Sequence, residues 1–417
     1  MAAIRPAEWL VALLVGVGAL SAPAPVAAAD PLARVSVSVG GAIPDGKKKT
    51  ARMTVREGGR TVYRGRIGIE LRGQSSKQFP KQAWSLELRD RKGDNRDVSL
   101  LGMPADDDWV LYAGYNDKTL MRNVLAYETA RRFGRYASRT RFVEVTLNGR
   151  YHGVYVLMET LKLQKHRIDL PEPAQLLEWT FGFQARNKGH SFRLPVSGYH
   201  ILFEDPERSD LKRKPRAQIR RSIGAAERSL YARNFRDPTN GWRRHVDEAA
   251  AVDYILLNEL FKNQDAFRAS TYLARGAGGR WQLGPVWDFD ISMGNSDYGP
   301  SSVLAGSMLE KRVWAHELYR DPAFVRAATA RWRELRTAGL RRDLLRSVGR
   351  HARRLTATGA AGRNFRRWPV LGVRVWPNPP EAVRRTSYAS EVAALRRWLE
   401  RRLAWMDAHV HELKPGR

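Results

Sequence analysis

Asn258-Glu259-Leu260-Phe261-Lys262-Asn263-Gln264-Asp265, followed by Trp287-Asp288-Phe289-Asp290, is the stretch on which the fold turns. The first segment closes residues 246–261, where apolar side chains recur at helical spacing. Two short strand-like runs follow, 270–273 and 281–286, around Gly276 and Gly278-Gly279; they predict a hairpin. A helix that runs into a loop aspartate, then a hairpin, then a carboxylate pair can bring Asp265 back beside Asp288 and Asp290. The last two are two residues apart, so an extended backbone points both to one side. Paired hard carboxylates are what Mg²⁺ or Mn²⁺ takes alongside phosphate oxygens. Taken alone, the pair reads slightly better as caps of the turn before Gly294. Trp287 and Phe289 shift the balance toward a site, because bulky neighbours shield carboxylates from bulk water.

Outward from this stretch the two halves differ in period. Residues 35–88 alternate: Val35, Val37 and Val39, then 53–55, 61–63, 67–71 and 83–88, a β pattern. Residues 89–97 carry Asp90, Asp94 and Asp97 around Gly93 but lack the terminal glutamate of a calcium loop, so a hairpin turn is expected. A helix is predicted over 117–133. Strands over 142–147 and 151–158 are joined by Asn148-Gly149, a hairpin signal because both residues tolerate positive φ. A further strand is predicted at 199–203 and helices at 218–234, 322–335, 340–355 and 388–410. The fold class is therefore α+β, with a β-rich part over about 35–205 and a mostly helical part over about 206–415.

The chain has 417 residues, 43% apolar, which excludes a disordered or collagen-like polymer. Its net charge is +29, and 57 of its 72 cations are arginine. That favours anionic partners without choosing among them. The absence of cysteine excludes disulfides, thiolate zinc sites and cysteine nucleophiles. At the N-terminus, Arg5 precedes an apolar run over 9–20, then Pro23, Pro25 and Ala27-Ala28-Ala29 before Asp30. This is the pattern of a secretory signal peptide, residues 1–29, with cleavage after Ala29 and an extracytoplasmic product. No later run is long enough to span a bilayer, so no transmembrane segment is expected after cleavage.

Weaker clusters lie elsewhere. Gly73-Gln74-Ser75-Ser76 sits between two predicted strands with Lys81 at the start of the second, a make-up suited to phosphate, although most such loops are plain turns. Glu159 ends a strand, with Lys162 three residues on. Arg341, Arg342, Arg346, Arg350, Arg353 and Arg354 recur at helical spacing, which marks a solvated face more often than a phosphate patch. There is no HExxH and no GxSxG.

Leu71-Arg72-Gly73-Gln74-Ser75-Ser76 with Phe79-Pro80-Lys81 resembles an opening motif of the CotH kinase family, the spore-coat protein H family. Trp109-Val110-Leu111-Tyr112, Met121-Arg122-Asn123, the run from Gly153 to Glu159, Asn258-Glu259 with Asp265, and Trp287-Asp288-Phe289-Asp290 follow in the family's order. The resemblance spans roughly residues 60–410 and implies one atypical protein-kinase-like, two-lobed domain over 30–415. Loop aspartate, hairpin and metal aspartate is also the order in protein kinases. By resemblance, Asp265 is the catalytic-loop aspartate, Asp288 or Asp290 is the ligand for Mg²⁺ or Mn²⁺, Lys81 is the lysine on the ATP phosphates beside the Ser75-Ser76 loop, and Glu159 is its partner or a nucleotide contact. The implied substrate is a Ser/Thr-containing secreted or surface protein, acidic if the arginines recruit it; nucleic acid is not implied. Family members often carry Asn five residues after the loop aspartate. Here the residue is Ser270, a weaker metal ligand, which puts a second metal site in question. The competing expectation is a non-catalytic surface or matrix protein of the same fold that binds anionic polymers.

Overall fold

Burial alternates residue by residue along β1 (Ala33–Ser38), with Val35 and Val37 inward, and in the same sense along the middle of β2 (Lys49–Glu57), where Ala51, Met53 and Val55 face the core. The structure is a computed structural model and describes residues 31–180, 182 and 191–416. The expected signal segment, 1–29, lies outside the described residues.

Strands β3 (Arg60–Arg72), β4 (Ala83–Arg89), β5 (Val98–Leu100), β6 (Met103–Asp106) and β7 (Asp108–Tyr112) follow, then helix α1 (Arg122–Arg132), β8 (Thr140–Leu147) and β9 (Arg150–Glu159). Seven strands close a barrel in the order β1-β2-β3-β4-β7-β9-β8. Parallel pairing of β1 with β8 shuts it, and closure leaves no open edge on the ring. The β8–β9 hairpin turns at Asn148 (φ 47°) and Gly149 (φ 79°), as the dipeptide demands.

A second, antiparallel sheet has the order β11-β12-β10-β13-β14. Its strands are β10 (Gln175–Thr180), β11 (Ser191–Arg193), β12 (His200–Asp205), β13 (Thr271–Arg275) and β14 (Gln282–Leu283). It therefore draws strands from both sides of the division expected at residue 205. The predicted hairpin after Asp265 is the β13–β14 pair. The rest is helical: α2 (Arg213–Tyr231), α3 (Glu248–Phe261), α4 (Val313–Tyr319), α5 (Pro322–Thr337), α6 (Leu340–Ala357), α7 (Ala360–Arg367) and α8 (Tyr388–His409). A β-rich N-terminal part and a helical C-terminal part are thus present as expected. Helix α3 is buried on all sides from Ala250 to Phe261, which a helix survives only at the centre of a core. The Asp247 side chain caps its start by accepting from Ala250 N–H, and Lys262 ends it in the left-handed region.

Helix α7 clasps the barrel across one glycine. Asn364 Oδ1 accepts from Val154 N–H and from Lys81 Nζ, each at 3.0 Å, while Trp368 Nε1 donates to the His152 carbonyl at 2.7 Å. Gly153 lies between them at φ 113°, and a Cβ there would stand 2.7 Å from Asn364 Oδ1 and 3.0 Å from Trp368 Nε1. Gly153→Ala should therefore cost about 2 kcal/mol or more in denaturant unfolding, from backbone strain plus displacement of α7. A wild-type midpoint in that variant would mean that the clasp is loose.

Candidate active site

Five of the eight non-glycine residues at positive φ among the described residues fall between α3 and the end of the aspartate loop: Lys262, Phe267, Ser270, Asp288 and Met293. Each such residue costs about 1–2 kcal/mol, and it persists only where its surroundings over-determine it. The surroundings are specific. Thr271 Oγ1 accepts from Phe267 N–H at 2.9 Å and from the Tyr254 hydroxyl at 3.0 Å, which ties the Asp265 turn to α3. The Asp265 carbonyl accepts the amides of Arg268 and Ala269, at 2.8 and 2.9 Å.

Helix α1 holds the second aspartate segment from below. Phe289 N–H donates to Asn123 Oδ1 at 2.6 Å, Asp288 N–H to the Tyr127 hydroxyl at 3.3 Å, and Arg122 Nε to the Ser292 carbonyl at 3.2 Å. Tyr127 also stacks on Trp287, with ring centroids 5.8 Å apart. This accounts for Met121-Arg122-Asn123 as a motif: the pair Arg-Asn splints the loop that carries Asp288 and Asp290.

The three predicted aspartates share one electrostatic neighbourhood, and each keeps part of its surface open to solvent. Burial pushes the Asp265 carboxyl up to about 6, with the charge of Asp290 adding to it. Burial and the charge of Asp265 push Asp288 up to about 7. Asp290 is also raised, by burial and then by Asp288, with which it shares a hydrogen bond. The Tyr112 hydroxyl, at the end of β7, donates to Asp290 Oδ2 at 3.1 Å and so brings the barrel to the site. Asp265 does not close with the pair into one three-carboxylate nest. The one such nest among the described residues is Asp97, Asp106 and Asp107. There Asp106 and Asp107 are matched by Lys162 and Arg167. The neighbouring Asp90 accepts the amides of Lys92, Gly93 and Asp94, the expected hairpin turn.

Cations face the aspartates incompletely. Arg72, leading the Gly73–Ser76 loop, lies 5.3 Å from the Trp287 ring centroid, and its charge acts on Asp288. Arg268 and Arg312 act on Asp265, and Arg312 Nη2 donates to the Gln264 carbonyl at 3.2 Å. Burial, and repulsion from Arg268, bring Arg312 down to about 10. Oxygen donors carrying uncompensated charge suit a hard divalent cation, so Asp288 and Asp290 fit Mg²⁺ or Mn²⁺.

The remaining sequence-derived residues are placed unevenly. Ser75 and Ser76 lie in the single 3₁₀ turn Ser75–Gln78 that follows Arg72, with Ser75 exposed and Ser76 half-buried. Lys81 is 2% exposed; its Nζ donates to the Val154 carbonyl at 2.5 Å and to Asn364 Oδ1, and burial brings it down to about 7. The charge of buried Asp117 acts on it in the opposite sense. Glu159 is fully buried, accepting from Arg139 Nη1 and N–H and from the Tyr136 hydroxyl. Both are satisfied by protein partners rather than aimed at the aspartates. Sequence reasoning missed Arg72, Tyr112 and Asp117 as site residues, although the first two stand inside motifs it singled out. Arg268 and Arg312 gave no signal.

The raised carboxyls have a pH signature. An acid whose folded value lies above its unfolded value near 4 binds more protons when native, so stability falls as pH rises between the two. In chelator, wild type should lose thermal stability relative to Asp290→Asn as pH rises from about 4 to about 7. Mn²⁺ should restore it. A difference that stays flat across that range would show that the aspartates are not crowded.

A search of curated proteins gives no match to this chain. The family of CotH kinase proteins matches residues 69–406, most of the chain and all of the candidate active site. The protein therefore belongs to the CotH kinase family.

Proposed function

We propose that the protein is an extracytoplasmic, metal-dependent protein kinase that transfers the terminal phosphate of ATP to Ser or Thr of secreted or surface proteins. The observation that carries this reading is the crowding of Asp265, Asp288 and Asp290, each raised by burial and by another aspartate, under a loop led by Arg72. Asp288 and Asp290 would hold Mg²⁺ or Mn²⁺, which when bound neutralises charge on the phosphates. Amides of the Ser75–Gln78 turn and the Arg72 guanidinium would meet the phosphate oxygens from the barrel side. Asp265 would orient the acceptor hydroxyl and take its proton as the oxygen–phosphorus bond forms and the bond to the ADP oxygen breaks. Lys81 and Glu159 hold the frame in this reading, Lys81 by fastening β9 to α7.

Asp265→Asn separates the roles. A group that works mainly in the transition state should lower kcat about 100-fold or more and leave ATP affinity within about twofold. A large loss of ATP affinity would make Asp265 a binding residue instead.

A further inference from the structure

Six arginines from three elements line one open groove of about 600 Å³ on the helical part: Arg336 of α5, Arg341, Arg342, Arg346 and Arg353 of α6, and Arg396 of α8. Leu345 and two glycines complete the lining, and no carboxylate enters it. Acids outside the groove offset only part of its charge. Arg336 pairs with Asp407 at 2.6 Å and Arg396 with Glu400 at 3.1 Å. Asp343 alone serves Arg342 at 3.0 Å and Arg346 at 4.0 Å, and it is also held by Arg132 at 2.7 Å. Arg341 and Arg353 make no ion pair among the described residues. Like charges four apart on a helix repel, so the groove is built at a cost that a bound anion would offset.

Shape and spacing narrow the anion. Guanidinium forks match carboxylates and phosphates alike, two oxygens at a time, so the spacing of the arginines has to choose between them. From Arg341 to Arg353 the helix rises about 18 Å, the length of five or six residues of extended chain. Successive turns of α6 repeat at about 5.4 Å, near the roughly 6.6 Å between alternate residues of such a chain. Helix α1 connects the groove to the aspartates. Its start splints the Asp288 loop through Asn123, and toward its end Glu128 and Arg132 pair with Arg350 and Asp343 of α6. Asn123 and Arg132 are about 14 Å apart along that helix, a gap that four or five extended residues would cross.

We propose that this groove docks a carboxylate-rich peptide segment of the acceptor protein, holding the acceptor while a neighbouring Ser or Thr reaches the aspartates. The second clause rests on the kinase reading; the docking itself does not.

The probe is a fluorescein-labelled eight-residue Glu/Asp peptide, measured by anisotropy on the mature chain. Arg341→Gln/Arg346→Gln/Arg353→Gln should weaken binding tenfold or more. It should also raise KM by a similar factor for an acceptor that carries an acidic tract, leaving kcat and the KM for ATP unchanged. A control that removes the same charge from the barrel, Arg56→Gln/Arg60→Gln/Arg64→Gln, should bind like wild type. Equal loss in the two triple variants would reduce the effect to net charge and overturn the proposal. So would an oligonucleotide of the same charge that displaces the peptide more effectively than the unlabelled peptide does. Selective loss of peptide binding in a protein that transfers no phosphate would keep the groove and refute the kinase reading.

Discussion

Asp290→Ala and Asp288→Ala should each lower phosphotransfer and Mn²⁺ affinity by more than about 100-fold, with Asp290 the more severe. Changes to groups that merely support a metal ligand weaken metal sites about 10–100-fold, so loss of a ligand should exceed that. Asp290 takes the larger share because the Tyr112 hydroxyl and the Asn295 amide fix it, the latter donating to its carbonyl at 2.7 Å. Removing either carboxylate also relieves its neighbours, so both variants should fold and melt no lower than wild type without metal. That stability is the control that separates a lost ligand from a lost fold. Titration calorimetry with Mn²⁺ reads the first and thermal melting the second. Variants that bind Mn²⁺ like wild type would show that the metal sits elsewhere.

Arg402→Met should be among the most destabilising single changes available. Arg402 is fully buried in α8, with Nη2 3.1 Å from Glu259 Oε2 and 2.8 Å from the Glu259 carbonyl; its Nη1 donates to the carbonyls of Leu304 and Gly306, each at 2.8 Å. Glu259 is equally buried and also accepts from Met308 N–H, Leu309 N–H and the Tyr319 hydroxyl at 2.7–2.9 Å. Methionine fills much of the space but leaves the buried Glu259 carboxylate and the carbonyls of Glu259 and Leu304 without their cation. Breaking one side of such a pair costs about 3–5 kcal/mol. Because Glu259 lies in the last turn of α3, just before the Asp265 turn, the damage should reach the candidate active site as well. Arg402→Lys, which keeps the charge and loses the fork, should fall between. A denaturant midpoint for Arg402→Met within about 1 kcal/mol of wild type would show that the pair is dispensable.

Much of this architecture is local and therefore legible in sequence. Alternation in β1 and β2, Asn148-Gly149 in its hairpin, and the β13–β14 hairpin after Asp265 each depend on neighbours within a few residues. The nearness of the three aspartates to one another was legible too, because the order of loop, hairpin and carboxylate pair is itself a pattern in the sequence. What sequence could not supply was partnership across the chain. Lys81 looked like a phosphate ligand; its carbonyl partner is Val154 and its side-chain partner is Asn364, far along the chain. Glu159 reads in sequence as a partner residue or a nucleotide contact; in the fold its carboxylate is held by Arg139 and the Tyr136 hydroxyl. The helix expected from Asp117 begins at Arg122, because Asp117 uses its carboxylate on Thr119 and Arg122 while Leu120 turns left-handed at φ 62°. That displacement turned an apparent helix start into a buried charge behind Tyr112.

The central claim is phosphoryl transfer at this aspartate cluster. Its most direct test incubates the purified protein with ATP labelled on the terminal phosphate, with Mn²⁺ or Mg²⁺ and with chelator, beside Asp265→Asn. The account predicts label on serine or threonine of the protein or an added acidic acceptor, dependent on the metal and lost in Asp265→Asn. Label that persists in Asp265→Asn, or no label from a wild-type protein that binds Mn²⁺ and ATP, would contradict it.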